Sequence, residues 1–537
     1  MKRTLRLLIA LLVVLVDMQG AYGQQNDRNW LGGHGSVFSD SAAAVLLQFN
    51  NDGLSYSNFH SELYLERGIF AMSNAEGELQ FYTNGNAVAS WDHDIMPDGK
   101  GFNQGSIFDD FDSFFGDTVI NDTYMPYTYQ VIPDADDGNV YYMVHAFIVE
   151  EGECPLLYVP KMQISKIDMS ANGGRGEVVY KNHYFDEELM GATFAMVRHG
   201  NGRDWWVVMH SMDGLAYRSV LLQRDSVVRV VQSSVPGLSS SWFDCADWWA
   251  TNRNLLTASR DGSRLADIYG EGWAKLLDFD RCSGAVSLID TINTGITQLE
   301  VFGGDTIDCN INGLEFSPSG RYLYGIGCAE VAQWDLWAGD IAASMVKLGG
   351  VPWWLDENQN VMEGFVGGFT TFAHGPDGKI YNLHRTSHSV IEYPDEAGEA
   401  SGLCLAADSP PSCLGVPYYL FSTPHPNYRL GALTGSGCDT ILSSTEPPLA
   451  GSGYGVEASP SVASEQVQVS ITLPSYDSST AEVQVVDMLG RVLHRHRFAP
   501  YAYLHDLDVS GWAPGVYNIV LLEKGRPKAA TRLVVAK

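Results

Sequence analysis

The chain has 537 residues, of which 45% are hydrophobic and 18% are charged, so it has enough apolar material for two or more packed domains. Its formal net charge of −31 repels phosphate backbones and anionic headgroups, which disfavours nucleic-acid or membrane-surface binding as its main role. Its 55 glycines and 11% aromatic residues are typical of a turn-rich β protein rather than a helical bundle.

The first 23 residues have the organisation of a cleavable signal peptide. Three basic residues precede an apolar run over residues 7–16, which is about half the length of a membrane span. Small residues at Ala21 and Gly23 fit a cleavage site before Gln24. An uncleaved N-terminal anchor is the alternative. No later stretch is long and apolar enough, so we predict no transmembrane segment after cleavage.

Export would place the eight cysteines in an oxidising compartment. Cys404 and Cys413 are nine residues apart in a Pro/Gly-rich stretch, and we predict a local disulfide between them. Four others can pair in several ways that the sequence leaves open, and they are Cys245, Cys282, Cys309 and Cys328. No C-x-x-C pair is present, which disfavours structural zinc.

Charge divides the chain into two regions. Residues 456–537 contain eight acidic and eight basic residues, whereas residues 24–455 carry a net charge of −33. The change follows residues 441–455, which have the serine, proline and glycine content of a linker. We therefore predict a main domain over residues 24–440 and a second, smaller domain over residues 456–537.

A short pattern recurs through the main domain: a polar tight turn that contains glycine, followed by an aromatic or aliphatic strand. The turn glycines are spaced by 61, 64, 60, 58 and 58 residues, and they are Gly77, Gly138, Gly202, Gly262, Gly320 and Gly378. Glycine adopts the positive φ that tight hairpin turns need, so each unit is predicted to be a β-hairpin within a four-stranded sheet. One such sheet cannot bury both of its faces, but a closed ring of them can.

The repeat therefore predicts an all-β fold in which the sheets are the blades of a β-propeller. A period of about 60 residues over residues 29–432 gives between six and seven units. We predict seven blades, one of them completed by a strand near Trp30, with six or eight blades as alternatives. The regular period disfavours an open array of β-sandwiches.

Five phrases occur in order along the main domain, namely GELQFYTNG (77–85), RHGNGRDWW (198–206), DFDRCSG (278–284), FSPSGRYLY (316–324) and PNYRLG (426–431). Together they resemble a family of secreted, WD40-like β-propeller proteins of Bacteroidota-type bacteria. The resemblance spans most of residues 29–440 and implies a secreted propeller, but it names no ligand.

Residues 456–537 show the alternating strands and turns of a small immunoglobulin-like β-sandwich. They also resemble the type IX secretion (Por) C-terminal sorting domain, through Asp487, Gly490, Gly515, Tyr517 and Lys537. The first strand departs from the pattern, because Ala458-Ser459-Pro460 replaces the usual Asn-Pro pair. The resemblance implies that the type IX machinery is a partner and delivers the chain through the periplasm to the surface or the medium. An ordinary immunoglobulin-like stalk is the alternative.

Two patterns resemble metal sites without matching them. His384 and His388 have the i, i+4 spacing of a helical zinc site, but they lack the glutamate of H-E-x-x-H and follow a predicted strand. Asp134, Asp136 and Asp137 resemble the start of a calcium loop, but no glutamate stands at its twelfth position, which favours an ordinary turn. We predict no metal and no cofactor.

Other motifs allow both a functional and a structural interpretation. In Trp91–Asp94 a histidine stands between carboxylates, which would raise its pKa and suit acid–base work, but a structural staple is favoured. Paired tryptophans indicate either sugar contact or packing between blades, and they occupy residues 205–206, 248–249 and 353–354. The acidic stretch 109–117 is a candidate ligand-facing or simply solvated loop. Because no known catalytic motif is present, we predict no catalytic residue.

These observations predict a secreted or cell-surface propeller that acts as a binding or structural module for a protein or glycan. The alternative is an extracellular carbohydrate-active or other hydrolase or lyase on the same scaffold, and a component of motility or adhesion is a third hypothesis. The centre of the propeller should discriminate between them. A convergent His/Asp/Glu/Arg set there would favour catalysis, whereas a plugged or plain polar channel would favour binding.

Overall fold

A computed structural model describes most of the chain after residue 24. The described residues are 25–33, 44–50, 53–65, 68–103, 120, 128–151, 156–186, 190–211, 215–236, 256–269, 272–294, 298–300, 306–308, 311–327, 330–349, 371–383, 388–405, 424–433, 436, 438, 455–459, 462–473, 481–487, 492–498, 504–523 and 526–536. The chain divides into two compact units, residues 1–439 and residues 440–537. Regular structure in the described part consists of strands and three short 3-10 turns, so the all-β prediction is confirmed.

The first four sheets of the main unit are antiparallel and follow the order of the chain. Sheet I contains β1 (Asn29–Gly33), β2 (Ala44–Asn50) and β3 (Gly53–Phe59). Sheet II contains β4 (Phe70–Ser73), β5 (Leu79–Thr83), β6 (Ala87–Ser90) and β7 (Ile95–Lys100). Sheet III contains β8 (Tyr129–Pro133), β9 (Val140–Glu151), β10 (Leu156–Asp168) and β11 (Glu177–Asp186). Sheet IV contains β12 (Met190–Arg198), β13 (Trp205–Ser211), β14 (Ala216–Gln223) and β15 (Ser226–Ser234), and a single β10–β12 pairing joins it to sheet III.

The remaining sheets of the main unit repeat the four-stranded meander. Sheet V contains β16 (Leu256–Ala258), β17 (Arg264–Tyr269), β18 (Trp273–Phe279) and β19 (Val286–Asn293), followed by the hairpin β20 (Gln298–Glu300) and β21 (Thr306–Asp308). Sheet VI contains β22 (Ile311–Phe316), β23 (Tyr322–Gly327), β24 (Glu330–Asp335) and β25 (Val346–Gly349). Sheet VII contains β26 (Thr371–His374), β27 (Ile380–Leu383), β28 (His388–Ile391) and β29 (Leu403–Leu405). The 3-10 turns Asn172–Gly174, Ala342–Ser344 and Gly398–Ser401 precede the fourth strands of sheets III, VI and VII.

Shared hydrophobic clusters join each sheet to the next. One cluster links sheets I and II, another sheets II, III and IV, and further ones link IV to V, V to VI and VI to VII. The last sheet also packs on the first, because the rings of Trp30 and Phe49 lie 5.5 and 5.6 Å from the ring of Tyr381. The sheets therefore close into a ring, which is the arrangement of a β-propeller. The number of blades stays a prediction.

The six turn glycines occupy equivalent positions, as the repeat predicts. Each lies between the first and second strands of one of sheets II to VII. Five of them have φ between 69° and 86°, the left-handed region that favours glycine. The sixth, Gly138, lies outside that region, so its turn does not require a glycine.

The second strands of the blades are buried on both faces. All residues of β23 and all but the last residue of β13 are buried. Neighbouring sheets cover both faces, which explains why these strands are continuous apolar runs rather than alternating ones. Fourth strands are more exposed, as in β15, where no residue is buried.

The main unit ends in a segment that packs on the turns of sheets IV and V. The backbone nitrogen of Leu433 donates to the carbonyl oxygen of Gly200 at 2.8 Å, and the Arg281 guanidinium donates to the carbonyl oxygen of Gly431 at 2.6 Å. Cys438 then forms a disulfide with Cys282, which follows β18.

This disulfide corrects the sequence analysis, which considered Cys282 only beside three other cysteines and did not consider Cys438. The two partners are separated by 156 residues, and a spacing argument favours near neighbours over such a pair. Cys404 is also disulfide-bonded. Its predicted partner, Cys413, lies outside the described residues, so the Cys404–Cys413 pairing stays a prediction.

The second unit is a small two-sheet β-sandwich. Sheet VIII has the order β30 (Gly455–Ser459), β32 (Gln466–Thr472) and β35 (Leu504–Asp508). Sheet IX has the order β31 (Val462–Ala463), β37 (Arg526–Val535), β36 (Gly515–Glu523), β33 (Ala481–Asp487) and β34 (Val492–Arg497). One apolar core contains residues of both sheets, including Val469, Val483 and Ile519. The immunoglobulin-like topology stays a prediction.

Among the described residues of both units, no helix is long and apolar enough to cross a membrane.

A Gly200→Ala substitution tests the packing of the disulfide against sheet IV. The added Cβ would lie 2.2 Å from the Sγ of Cys438 and 2.9 Å from the Sγ of Cys282. Overpacking of this kind lowers the free energy of unfolding by about 1–3 kcal/mol, which denaturant titration of the main unit can measure. Gly138→Ala is the control, because no atom lies within 4 Å of its added Cβ and we expect a change below about 0.5 kcal/mol. Equal losses in the two variants would contradict this packing.

Candidate functional site: a cavity at the centre of the ring

The first strands of five sheets line one common cavity of about 90 Å³. Its wall includes Gln130 of β8, residues 193–198 of β12, Thr257 of β16, Glu315 of β22, His374 of β26 and residues 424–427. Since sheets III to VII all contribute, the cavity lies at the centre of the ring and the first strands are the innermost. It has room for several water molecules.

Residues 424–433 cross this centre and are fixed to the innermost strands. Three side chains of the segment donate to backbone carbonyl oxygens. His425 Nε2 donates to Ala71 and Tyr428 Oη donates to Val131, each at 2.7 Å. Asn427 Nδ2 donates to Arg260 at 2.6 Å. Their acceptors belong to sheets II, III and V. The centre of the ring is therefore partly filled by the chain itself.

A buried ion pair holds the same segment to the start of the main unit. Both terminal nitrogens of Arg429 donate to the carboxylate of Asp27, each at 2.6 Å. The Asp27 side chain is 5% exposed and that of Arg429 is 26% exposed. The bidentate geometry compensates both charges and fixes the orientation of the guanidinium.

Glu315 is the carboxyl group of the cavity. Its Oε1 accepts a hydrogen bond from the backbone nitrogen of Phe316 at 3.0 Å and from Thr257 Oγ1 at 3.3 Å. Burial raises the pKa of Glu315 to about 8, so the carboxyl is protonated at neutral pH.

His374 lies beside it as a neutral imidazole. Its Nε2 is 3.5 Å from Glu315 Oε1, and its side chain is 9% exposed. Neither ring nitrogen makes a hydrogen bond to another described residue. Burial, with a contribution from the nearby Arg260, lowers the pKa of His374 to about 3.

Two arginines complete the polar wall. The Arg198 guanidinium lies 4.7 Å from the centre of the Trp205 ring, and burial lowers its pKa to about 10. Burial also lowers the pKa of Arg260, whose ionisable neighbours are Asp27, Arg429 and Glu315. Both arginines remain cations at neutral pH.

The cavity is therefore electrically unlike the rest of the chain. Asp27 and Arg429 compensate each other, while Glu315 and His374 are neutral at pH 7. The guanidinium group of Arg260 remains beside this small cavity in a protein of net charge −31. A protonated carboxyl next to a neutral imidazole can exchange protons, and the guanidinium group can attract anions.

Sequence reasoning did not find this site. Its residues come from separate blades and share no local motif. One signal was present. Glu315 is the one charged residue in the strand Ile311–Phe316, and the burial of a charged group is costly unless it is paired or neutralised.

The aspartates of the predicted calcium-like turn are occupied by other groups. Asp134 Oδ1 accepts from the backbone nitrogens of Asp136 and Asp137 at 2.8 and 3.1 Å. The carboxylate of Asp136 pairs with Arg203 and Arg224 at 2.6 and 2.5 Å. These contacts are those of an ordinary turn, which the sequence analysis favoured over a calcium loop, and ion pairs join this turn to sheet IV.

The Trp91–Asp94 tetrapeptide joins sheets II and III. The Asp92 carboxylate lies 2.6 Å from the Arg175 guanidinium, and Trp91 Nε1 donates to the carbonyl oxygen of Gly174 at 3.0 Å. Burial lowers the pKa of His93, so the expectation of a raised value is wrong. The carboxylates beside it do not outweigh its partial burial.

The described tryptophan pair packs inside the ring. Trp205 is 2% exposed and Trp206 is 0% exposed, so neither presents a face to a sugar. Neighbouring blades cover both faces of their strand. The pairs at 248–249 and 353–354 and the acidic stretch 109–117 lie outside the described residues.

The histidine pair of the predicted zinc-like motif is not on a helix. His388 begins β28 and is paired with Leu383 of β27, and His384 lies outside the described residues. No group of three or more His, Cys, Asp or Glu residues in the described part is arranged to hold a metal ion.

The sorting-domain residues fall on adjacent strands of sheet IX where they are described. Asp487 ends β33 and its backbone is paired with Tyr517 of β36. Gly515 begins β36. Gly490 and Lys537 lie outside the described residues.

Comparison with known families identifies the second unit. Residues 460–536 match the family described as the secretion system C-terminal sorting domain. The chain carries a type IX secretion sorting domain. This domain marks the chain for export by the type IX system to the cell surface or the extracellular space.

No curated protein matches the chain. Solved structures with similar folds include Hsv2 of Kluyveromyces lactis, with 11% identity over 71% of this chain and 98% of that one at a TM-score of 0.31. The β-propeller domain of Cps50 (Swd1) of Myceliophteria thermophila has 10% identity over 66% and 92%, with a TM-score of 0.32. PorZ of Porphyromonas gingivalis, a surface component of the type IX secretion system, has 11% identity over 92% and 69%, with a TM-score of 0.25. These low scores carry no argument about function.

The protonation of Glu315 predicts how stability depends on pH. Burial raises its pKa from 4.5 to about 8, so its favourable contribution is complete below pH 4.5 and is lost as pH rises through about 8. Glu315→Gln keeps the shape but cannot ionise. Denaturant unfolding should therefore show the variant gaining stability relative to the native protein between about pH 5 and about pH 9.

The control for this measurement is Glu330→Gln, which removes a partly exposed carboxylate paired with Lys347 at 2.7 Å. It should show no such relative gain. A constant difference between Glu315→Gln and the native protein at every pH would mean that Glu315 is not buried as a neutral group.

Proposed function

We propose that the chain is an exported binding module and that its ligand site is the cavity at the centre of the propeller. The observation that supports this is the convergence of a carboxyl, an imidazole and a guanidinium on one enclosed space, from Glu315, His374 and Arg260. Small-molecule sites are concave and contain a few convergent polar groups of this kind. Export through the sorting domain supports a role for this binding activity at the cell surface or outside the cell.

The cavity is built on fixed elements, which suits binding. Its walls are the innermost strands of the blades, and the crossing segment is held by the Asp27–Arg429 ion pair and the Cys282–Cys438 disulfide. Side chains that packed strands position keep their geometry in the absence of ligand. Binding then requires less loss of conformational entropy than it would at a flexible surface.

One observation favours the alternative of a hydrolase or lyase on this scaffold. Glu315 Oε1 lies 3.5 Å from His374 Nε2, and the two groups together hold a transferable proton. An enzyme would convert its ligand, and Glu315→Gln would stop turnover while leaving affinity largely intact. A binding module would return the ligand unchanged.

Thermal-shift measurements on the full chain test the binding site. Glycans, peptides and small organic acids are screened for ligands that raise the midpoint of the main unit's transition. Ala258→Leu adds a side chain to the cavity wall and should abolish the shift, whereas Ala343→Leu adds the same atoms at an exposed position and should not. If the ligand still raises the midpoint of the transition in Ala258→Leu, its binding site is not the central cavity.

A chain that ends near Ser452 tests the role of the sorting domain. The two units are separately compact, so the thermal transition of the main unit should change little. The truncated chain should accumulate in the periplasm, which cell fractionation measures. Normal surface delivery would contradict the sorting role, and a large loss of stability would show that the second unit supports the main fold.

A further inference from the structure

The charge around the central cavity has a sign opposite to that of the whole chain. The net charge of the chain is −31, yet the described residues of the cavity wall include the cation Arg260, and the one carboxyl group among them, Glu315, is neutral at pH 7. A cation in a partly enclosed space raises the local concentration of anions. The charge of Arg260 therefore favours anionic ligands over cationic ones.

Arg260 differs from the other buried or half-buried arginines of the main unit. Arg429 is bound by Asp27 at 2.6 Å, and Arg218 is bound by Asp186 at 2.6 and 2.9 Å. In the part of the chain that the structure describes, no residue accepts a hydrogen bond from the Arg260 guanidinium. The planar guanidinium has five N–H donors, whose spacing matches the oxygen atoms of carboxylate and phosphate groups.

The groups beside Arg260 are also donors. His374 is nine-tenths buried, and neither of its ring nitrogens has a hydrogen-bond partner among the described residues. The protonated Glu315 contributes an O–H, whereas the Thr257 hydroxyl already donates to Glu315 Oε1 at 3.3 Å. Buried polar groups normally find partners, so the Arg260 guanidinium and the N–H of the His374 ring are the donors that are open to a ligand.

We propose that the central cavity binds one small anion, a carboxylate or phosphate group, between the Arg260 guanidinium and the His374 imidazole. This inference rests on the proposed binding function and names the chemical class of its ligand. The anion would supply the acceptor that these donors lack and would compensate the charge of Arg260. Because the site is partly enclosed, the interaction is screened by salt less than a surface pair would be.

Isothermal titration of the full chain with sodium acetate and, separately, with inorganic phosphate tests the proposal. We expect one or both anions to bind with a stoichiometry of one, and the arm that binds identifies the carboxylate or the phosphate source. Arg260→Gln should weaken that binding by about tenfold or more, as expected for loss of a charge-assisted pair. Arg224→Gln is the matched control, because Asp136 already holds that guanidinium at 2.5 Å, and it should leave the affinity unchanged.

The pH dependence of acetate binding provides a test that does not depend on the folding of Arg260→Gln. Acetate stays ionised from about pH 6.5 to about pH 9, whereas Glu315 becomes a carboxylate through about pH 8 and would repel it. Affinity should fall about fivefold or more over this range, and Glu315→Gln should remove the fall.

The results separate this inference from the proposed function. If neither anion binds, or if binding is unchanged in Arg260→Gln, the anion site is wrong. If a neutral ligand gives a thermal shift that disappears in Ala258→Leu, the proposed binding function stands and the proposal of an anionic ligand is wrong. If no ligand of any class gives such a shift, both proposals fail.

Discussion

The ion pair between Asp27 and Arg429 is the interaction on which the main unit depends. It joins residues separated by 402 positions, one before the first strand and one after the last blade, at 2.6 Å in both hydrogen bonds. The side chain of Asp27 is 5% exposed and that of Arg429 is 26% exposed, so water hydrates the two charges only in part. Removal of one partner leaves the other charge uncompensated in a largely buried position. The crossing segment and the ring closure therefore stabilise each other.

The chemistry of the central cavity follows from this arrangement. Because Asp27 is bound to Arg429, the Arg260 guanidinium lines the cavity without an ion pair to any carboxylate among the described residues. Burial keeps Glu315 and His374 neutral, so they donate or exchange protons without cancelling that charge. The cavity meets both criteria of the sequence analysis. It has the convergent polar residues expected of a catalytic site, and its channel is partly filled, as expected of a binding module. Its small volume and fixed walls make binding the simpler account.

The repeat of turn glycines predicted most of the fold, because a tight hairpin turn imposes a local backbone requirement that glycine meets. Gly202 and Gly262 occupy such turns with φ of 73° and 69°. The site was beyond sequence reasoning because Glu315 and His374 come from different blades, and only the packing of sheet VI on sheet VII brings them within 3.5 Å. The Cys282–Cys438 disulfide was missed for the same reason, since distance in space does not follow distance in sequence. Sugar contact by Trp205 and Trp206 was a reasonable hypothesis, because the sequence of one strand does not show that neighbouring blades bury both of its faces.

A double-mutant cycle on Asp27→Ala and Arg429→Ala tests the central claim most directly. The free energy of unfolding of the main unit is measured by denaturant titration of the full chain for the native protein, each single variant and the double variant. A buried, bidentate pair that closes the ring predicts that each single substitution costs roughly 3 kcal/mol and that the coupling energy exceeds about 2 kcal/mol. A coupling energy below about 0.5 kcal/mol, as found for exposed pairs, would contradict the claim.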